Sequence, residues 1–321
     1  MAAPVFSRNQ TVAAMFSRNH PFLFFLLIMG AICATVFIVL TLIVTAGILS
    51  VQGTTFRAGG KNLIGIIEVT GTIYDSDETI RQIKGFREDD SIRAILIRVN
   101  SPGGTVGPAQ EIYREIEKTV DHKKVVVSMG NVAASGGYYL AAAADGIMAN
   151  PGTITGSIGV IMSYTNYRQL FEKIGLTPVV IKSGEFKDIG NPSRDMTESE
   201  ENILQDFVDK TRKQFVEAVA TGRGLPLETV ASLADGRVYT GEEAMEHGLV
   251  DRLGNLEDAI EWAGRMVGIE GDVSVVYARK EKFSLLDVLL GTTQESLLQN
   301  LSQHMQPQAA YLLDIREDTG R

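Results

Sequence analysis

The chain has 321 residues, enough for one large domain or two small ones, and a formal net charge of −9. That acidity excludes a nucleic-acid partner, which needs a basic surface, and no local run of Lys and Arg supplies one. The single cysteine, Cys33, lies in an apolar run near the N-terminus, so the rest of the chain can hold no disulfide, cysteine nucleophile or thiolate metal site.

Residues 1–20 read as a short polar tail. From Pro21 to Phe56 there is no charged residue, and Phe22 to Val44 is almost purely apolar. A helix needs roughly 20 residues to cross a bilayer. The apolar core of a cleaved signal peptide is only about 7–15 residues. Residues 21–50 are therefore expected to be a transmembrane signal anchor. Arg8 and Arg18 before it balance Arg57 and Lys61 after it, so charge alone does not orient the span. Residues 51–62, with Gly59-Gly60, read as a linker.

A globular domain is expected over 63–268. Leu63–Val69, Ala94–Val99, Val125–Met129, Gly146–Met148 and Val179–Ile181 are short apolar runs rich in β-branched residues, the pattern of buried strands. Between them the spacing predicts helices over Ser76–Arg87, Val106–Thr119, Tyr138–Ala143 and Tyr167–Ile174. This alternation predicts an α/β fold with mostly parallel strands. Thr197 with Glu200 three residues on is a capping box. It opens a long helix whose Ile203, Leu204, Phe207, Val208, Phe215 and Val219 should pack on the core. Further helices are expected at Leu227–Leu233, Gly241–His247 and Leu256–Val267. Residues 269–321 read as a C-terminal extension, helical over Phe283–Met305 and mobile beyond Gln306.

Ser135 lies in Asn131-Val-Ala-Ala-Ser135-Gly-Gly-Tyr-Tyr139, after a predicted strand and before a predicted helix. That is a nucleophile's position, because glycines admit a substrate backbone and a helix start offers free N–H groups to an oxyanion. A plain strand-to-helix turn has the same composition. The four histidines, His20, His122, His247 and His304, are all outside glycine-rich or strand-end contexts, which weighs against a Ser-His-Asp triad. No His-x-x-x-His spacing marks a metal. A neutral lysine can replace histidine as base. Lys187, in Lys182-Ser-Gly-Glu-Phe-Lys187-Asp188, is such a candidate, although a surface lysine beside Asp188 fits the same residues. Asn100-Ser-Pro-Gly-Gly104 can present an N–H to an oxyanion. In Pro151-Gly-Thr-Ile-Thr-Gly-Ser157-Ile-Gly159 the Ser157 hydroxyl can orient an amine. That loop lacks the Gly-Lys-Ser/Thr ending of a phosphate-binding loop.

Together with Gly236-Arg-Val-Tyr-Thr-Gly241 and Gly248-Leu-Val-Asp-Arg-Leu-Gly254, these motifs resemble the signal peptide peptidase A (protease IV) family over roughly residues 62–268. The resemblance implies a Clp/crotonase-type fold of repeated β-β-α units behind the membrane helix, and a serine endopeptidase that needs no cofactor. It implies Ser135 as nucleophile, Lys187 as general base and Ser157 orienting Lys187. The N–H groups of Gly104 and Gly136 would form the oxyanion hole. It further implies apolar peptide substrates such as cleaved signal peptides. The catalytic domain would stand on the extracytoplasmic, periplasmic side of the inner membrane. The assembly would be a homo-octamer whose sites are shared between neighbouring subunits. An acyl-CoA enzyme of crotonase type would share the fold and leave Ser135, Lys187 and the anchor unexplained. A non-catalytic membrane scaffold is the other alternative.

Overall fold

The computed structural model of the chain describes residues 20–52, 63–279 and 310–312. Two compact units divide it, Met1–Gly59 and Gly60–Arg321. The described part of the first is one 32-residue helix, α1 (Pro21–Gln52). At 1.5 Å per residue, this length exceeds the roughly 30 Å of a bilayer's hydrocarbon core. Its window Pro21–Val39 has a mean hydropathy of 2.9 and is 0% buried. The Thr35 and Thr41 hydroxyls donate to the carbonyls of Ala31 and Phe37, each at 2.8 Å. Both are thus satisfied within the helix, as apolar surroundings demand. The expected polar tail up to residue 19, the linker from 53 to 62 and the helix expected at Phe283–Met305 lie outside the described residues.

The second unit is built on a twisted, mostly parallel sheet. β1 (Leu63–Thr70), β2 (Ile92–Ser101) and β4 (Lys124–Ala134) form its centre, and β5 (Gly146–Ala149) and β6 (Ile154–Gly156) both pair with β4. β7 (Val238–Tyr239) closes one edge antiparallel to β6, and β8 (Arg252–Leu253) extends β5. β9 (Ser274–Tyr277) runs parallel to β1 at the other edge. The sheet therefore draws its last strand from beyond residue 268, inside the expected extension. The short β3 (Gly103–Thr105) stands apart and pairs antiparallel with β10 (Ala310–Leu312).

The continuous apolar runs of β1, β2 and β4 are explained by burial on both faces. Alternate residues Ile64, Ile66, Leu96 and Val126 meet Ala259, Ile260 and Trp262 of α9 (Leu256–Met266). On the opposite face Gly65 leaves room for Phe86 of α2 (Asp77–Glu88), whose ring a Cβ at Gly65 would approach to 2.4 Å. α3 (Val106–Val120) and α4 (Gly136–Ala141) complete that layer, packed on each other. A segment from 157 to 197 leaves the sheet, with only α5 (Arg168–Lys173) as regular structure, and leads into α6 (Glu198–Arg223). α7 (Leu227–Leu233) and α8 (Gly241–Glu246) follow.

Two expectations fail here for one physical reason. Val179–Ile181 forms no strand; it is unpaired coil, with Val179 82% and Ile181 98% exposed. The capping box of α6 forms as expected, but only its C-terminal half packs on the core, through Phe215, Val216 and Val219. Ile203 and Phe207 on its N-terminal half are exposed. In both places apolar residues that read as core find no cover among the described residues.

Candidate active site

The second half of β4 pairs with β6, Ala133 opposite Thr155 and Ala134 opposite Gly156. Because the strands are parallel, Ser135 and Ser157 leave them side by side at the C-terminal edge of the sheet, where ligand sites of α/β folds collect. The Ser135 N–H donates to the Gly156 carbonyl at 2.8 Å, and the Ser157 N–H to the Arg237 carbonyl at 2.9 Å. Among the described residues these two serines are the only non-glycines with positive φ, at 52° and 49°. Such backbone costs about 1–3 kcal/mol per residue and persists where its surroundings force it, most often at functional sites. A strained serine between a strand and a helix is the geometry of a nucleophile elbow. Both serines are nearly buried, and the Ser135 side chain makes no capping bond to α4.

α4 is fixed behind Ser135 by close packing and one buried hydrogen bond. Gly137 touches the end of β2, where a Cβ would lie 2.9 Å from the Ser101 carbonyl oxygen. Tyr138, fully buried, donates its hydroxyl to the Leu249 carbonyl at 2.9 Å, and burial pushes its phenol above the usual range. Gly136, the first residue of α4, has an N–H with no intrahelical acceptor.

Gly104 is placed by β3. The Ile73 carbonyl accepts the Thr105 N–H at 2.8 Å, and the Ile73 N–H donates to the Gly103 carbonyl at 2.9 Å. Strand alternation then turns the N–H and C=O of Gly104 to the opposite edge. There β10 lies antiparallel, Tyr311 opposite Gly104, and this strand also packs beside α4. Only glycine fits at 104, since a Cβ would stand 2.0 Å from the Ile73 carbonyl oxygen. Gly104→Ala is expected to cost about 1–3 kcal/mol through forced backbone movement. A thermal unfolding midpoint equal to wild type would show that this close approach is not rigid.

Lys187 sits on an exposed turn within the segment 157–197, its N–H donating to the Gly184 carbonyl at 3.2 Å. The strand expected just before it is absent. Lys187 makes no hydrogen bond or ion pair to Ser135 or Ser157 among the described residues. The structure thus brings Ser135, Ser157 and Gly136 together, sets Gly104 on a neighbouring edge beside α4, and leaves Lys187 without a contact to them. One feature had no sequence signal: Arg194 pairs with both Asp188 and Glu200 beside the Lys187 turn. Their spacing matches neither helix nor strand, so only the folded chain reveals it. No group of His, Cys, Asp and Glu suited to a metal occurs among the described residues.

Comparison with known proteins bears on the same region. The model of peptidase family S49 matches residues 117–270, and that of Clp protease matches 64–154. The latter agrees with the Clp/crotonase-like α/β fold. The protein named "Putative protease slr0021" from Synechocystis sp. is 46% identical over 219 residues, covering 68% of this chain and 79% of the relative. "Serine protease SPPA, chloroplastic" from Arabidopsis thaliana is 34% identical, covering 73% of this chain and 36% of the relative. "Protease 4" from Haemophilus influenzae is 32% identical over 75% of this chain and 41% of the relative. The chain thus spans well under half of these last two.

Proposed function

The chain belongs to peptidase family S49 and is a serine peptidase, and from that premise we propose a membrane-anchored endopeptidase working through a Ser135/Lys187 dyad. The observation that carries the proposal is the strained Ser135 beside Ser157, at the end of two paired parallel strands.

The Ser135 hydroxyl attacks a peptide carbonyl and gives its proton to the neutral Nζ of Lys187. The Oγ–C bond forms and the carbonyl oxygen takes the negative charge, facing the N–H groups of Gly104 and Gly136. Collapse breaks the C–N bond, and Lys187 passes the proton to the leaving amine. Water then repeats the sequence on the acyl-enzyme, again through Lys187, and frees Ser135. Ser157 accepts a hydrogen bond from the lysine amine and aims it. The edge of β3 that pairs with β10 supports binding of an extended peptide as an antiparallel strand, once β10 gives up its place there and frees the Gly104 N–H.

Because Lys187 makes no bond to Ser135 here, its partner serine is assigned to a neighbouring subunit. Tyr167, Leu170, Ile174, Val179 and Ile181 on the segment 157–197 are exposed and apolar, as is Phe207 on α6, which supports a second copy as their cover. A closed ring is the assembly, and an octamer is the size that the resemblance to the short form of the family implies. α1 anchors the chain in the inner membrane with the domain on the periplasmic side. There it meets apolar peptides such as cleaved signal peptides at raised effective concentration.

The test is hydrolysis of an apolar peptide by the full-length chain across pH. A lysine base predicts kcat/KM rising from acid to mildly alkaline pH, because only a neutral amine accepts the proton. A rate that is flat or falling over that range would overturn the lysine assignment.

A further inference from the structure

In sequence Lys187 lies between two cations that are both engaged, while no hydrogen bond or ion pair holds its own amine among the described residues. Lys182 Nζ donates to Asp188 Oδ1 at 2.6 Å and to the Glu185 carbonyl at 2.7 Å. Arg194 Nε donates to Asp188 Oδ2 at 2.9 Å, and its Nη2 to the Asp188 carbonyl at 3.2 Å. Both carboxylate oxygens of Asp188 are therefore occupied by cations. The same guanidinium forks onto Glu200, with Nη1 2.8 Å from Oε2. Glu200 is 2% exposed and accepts the Thr197 N–H at 2.9 Å within the capping box of α6. An unbroken set of ion pairs thus ties the Lys187 turn to the start of a 26-residue helix.

We propose that Arg194 is the positioning residue for Lys187: it fixes the turn to α6 through Glu200 and, with Lys182, neutralises Asp188. This rests on Lys187 being the base. A free carboxylate next to a lysine favours the ammonium form, which cannot accept a proton. Pairing Asp188 with two cations removes its share of that bias; Lys182, Asp188, Arg194 and Glu200 sum to zero, and the Glu185 carboxylate is left without an ion pair among the described residues. The charged groups of the turn and of the chain that Arg194 joins to it are Lys182, Glu185, Asp188, Arg194, Asp195 with its partner Arg168, and Glu200. Hydrogen bonds from Arg194 and Lys182 hold the Asp188 carboxyl well below the usual carboxylate range. Those from Arg194 and Thr197 pull Glu200 down to about 2. Both stay ionised across any working pH, so they act on Lys187 as fixed charges. A bidentate fork that also reaches a second carboxylate is work for arginine rather than lysine.

The experiment is the pH dependence of kcat/KM for an apolar peptide, measured on the full-length enzyme and four variants. Arg194→Gln is expected to lower kcat/KM about tenfold or more near pH 7 and to move the acid limb up by about one pH unit, regaining part of the rate at high pH. Asp188→Asn should move the limb down. The double variant Arg194→Gln/Asp188→Asn should return the midpoint close to wild type. A proportional loss at every pH with an unmoved limb, or a wild-type profile for Arg194→Gln, overturns the proposal. If Arg194→Gln does not fold, Asp188→Asn decides, and a limb that stays or rises overturns it. Lys187→Ala separates the two readings. If it keeps the wild-type acid limb, the base assignment has failed; if it is inactive while Arg194→Gln matches wild type, only the clamp has failed.

Discussion

Ser135→Ala is expected to abolish peptide hydrolysis while leaving the folded protein intact. Removing a serine nucleophile lowers kcat on the order of 10⁴- to 10⁶-fold. The structural cost should be small, because the hydroxyl caps nothing and the backbone bond from Ser135 to Gly156 does not involve it. The positive φ persists in the variant, since β6 and α4 impose it from both sides. Loss of turnover with an unchanged unfolding midpoint therefore separates chemistry from folding. Turnover within tenfold of wild type would remove Ser135 from the mechanism.

Lys187→Ala is expected to be the second severe loss, on the order of 10³- to 10⁴-fold, the range general-base removal covers. The exposed turn that carries Lys187 gives this variant a sharper form. If each site joins Ser135 of one subunit to Lys187 of the next, co-expressing the two inactive variants restores some sites. Random assembly in a ring with heterologous interfaces gives about one intact site in four. Recovery of about a quarter of wild-type activity is therefore expected. No recovery from verified mixed oligomers would place both residues of a site in one chain.

The sheet was legible because its strands are buried on both faces and read as continuous apolar runs. Leu63–Thr70 and Lys124–Ala134 begin and run where β-branched residues cluster. The helices were legible through caps and period, with Leu227–Leu233 matching its expected range. Val179–Ile181 misled because a β-branched run marks apolar surface but not whether a sheet pairs with it, and here the run is exposed coil. Ile203 and Phe207 misled in the same way. β9 was missed since Ser274–Tyr277 is a short edge strand, half-exposed and without flanking signals. At the candidate site, the glycine-rich motifs marked where backbone approaches closely. The positive φ of Ser157 and the Asp188–Arg194–Glu200 ion pairs were not legible, because both are products of tertiary contact.

The most direct measurement is covalent trapping of the full-length enzyme with a fluorophosphonate, followed by peptide mapping. A single adduct on Ser135 is predicted, forming faster as pH rises and lost when Lys187 is replaced by alanine. An adduct on another serine, or none on protein that still cleaves peptides, would contradict Ser135 as the nucleophile.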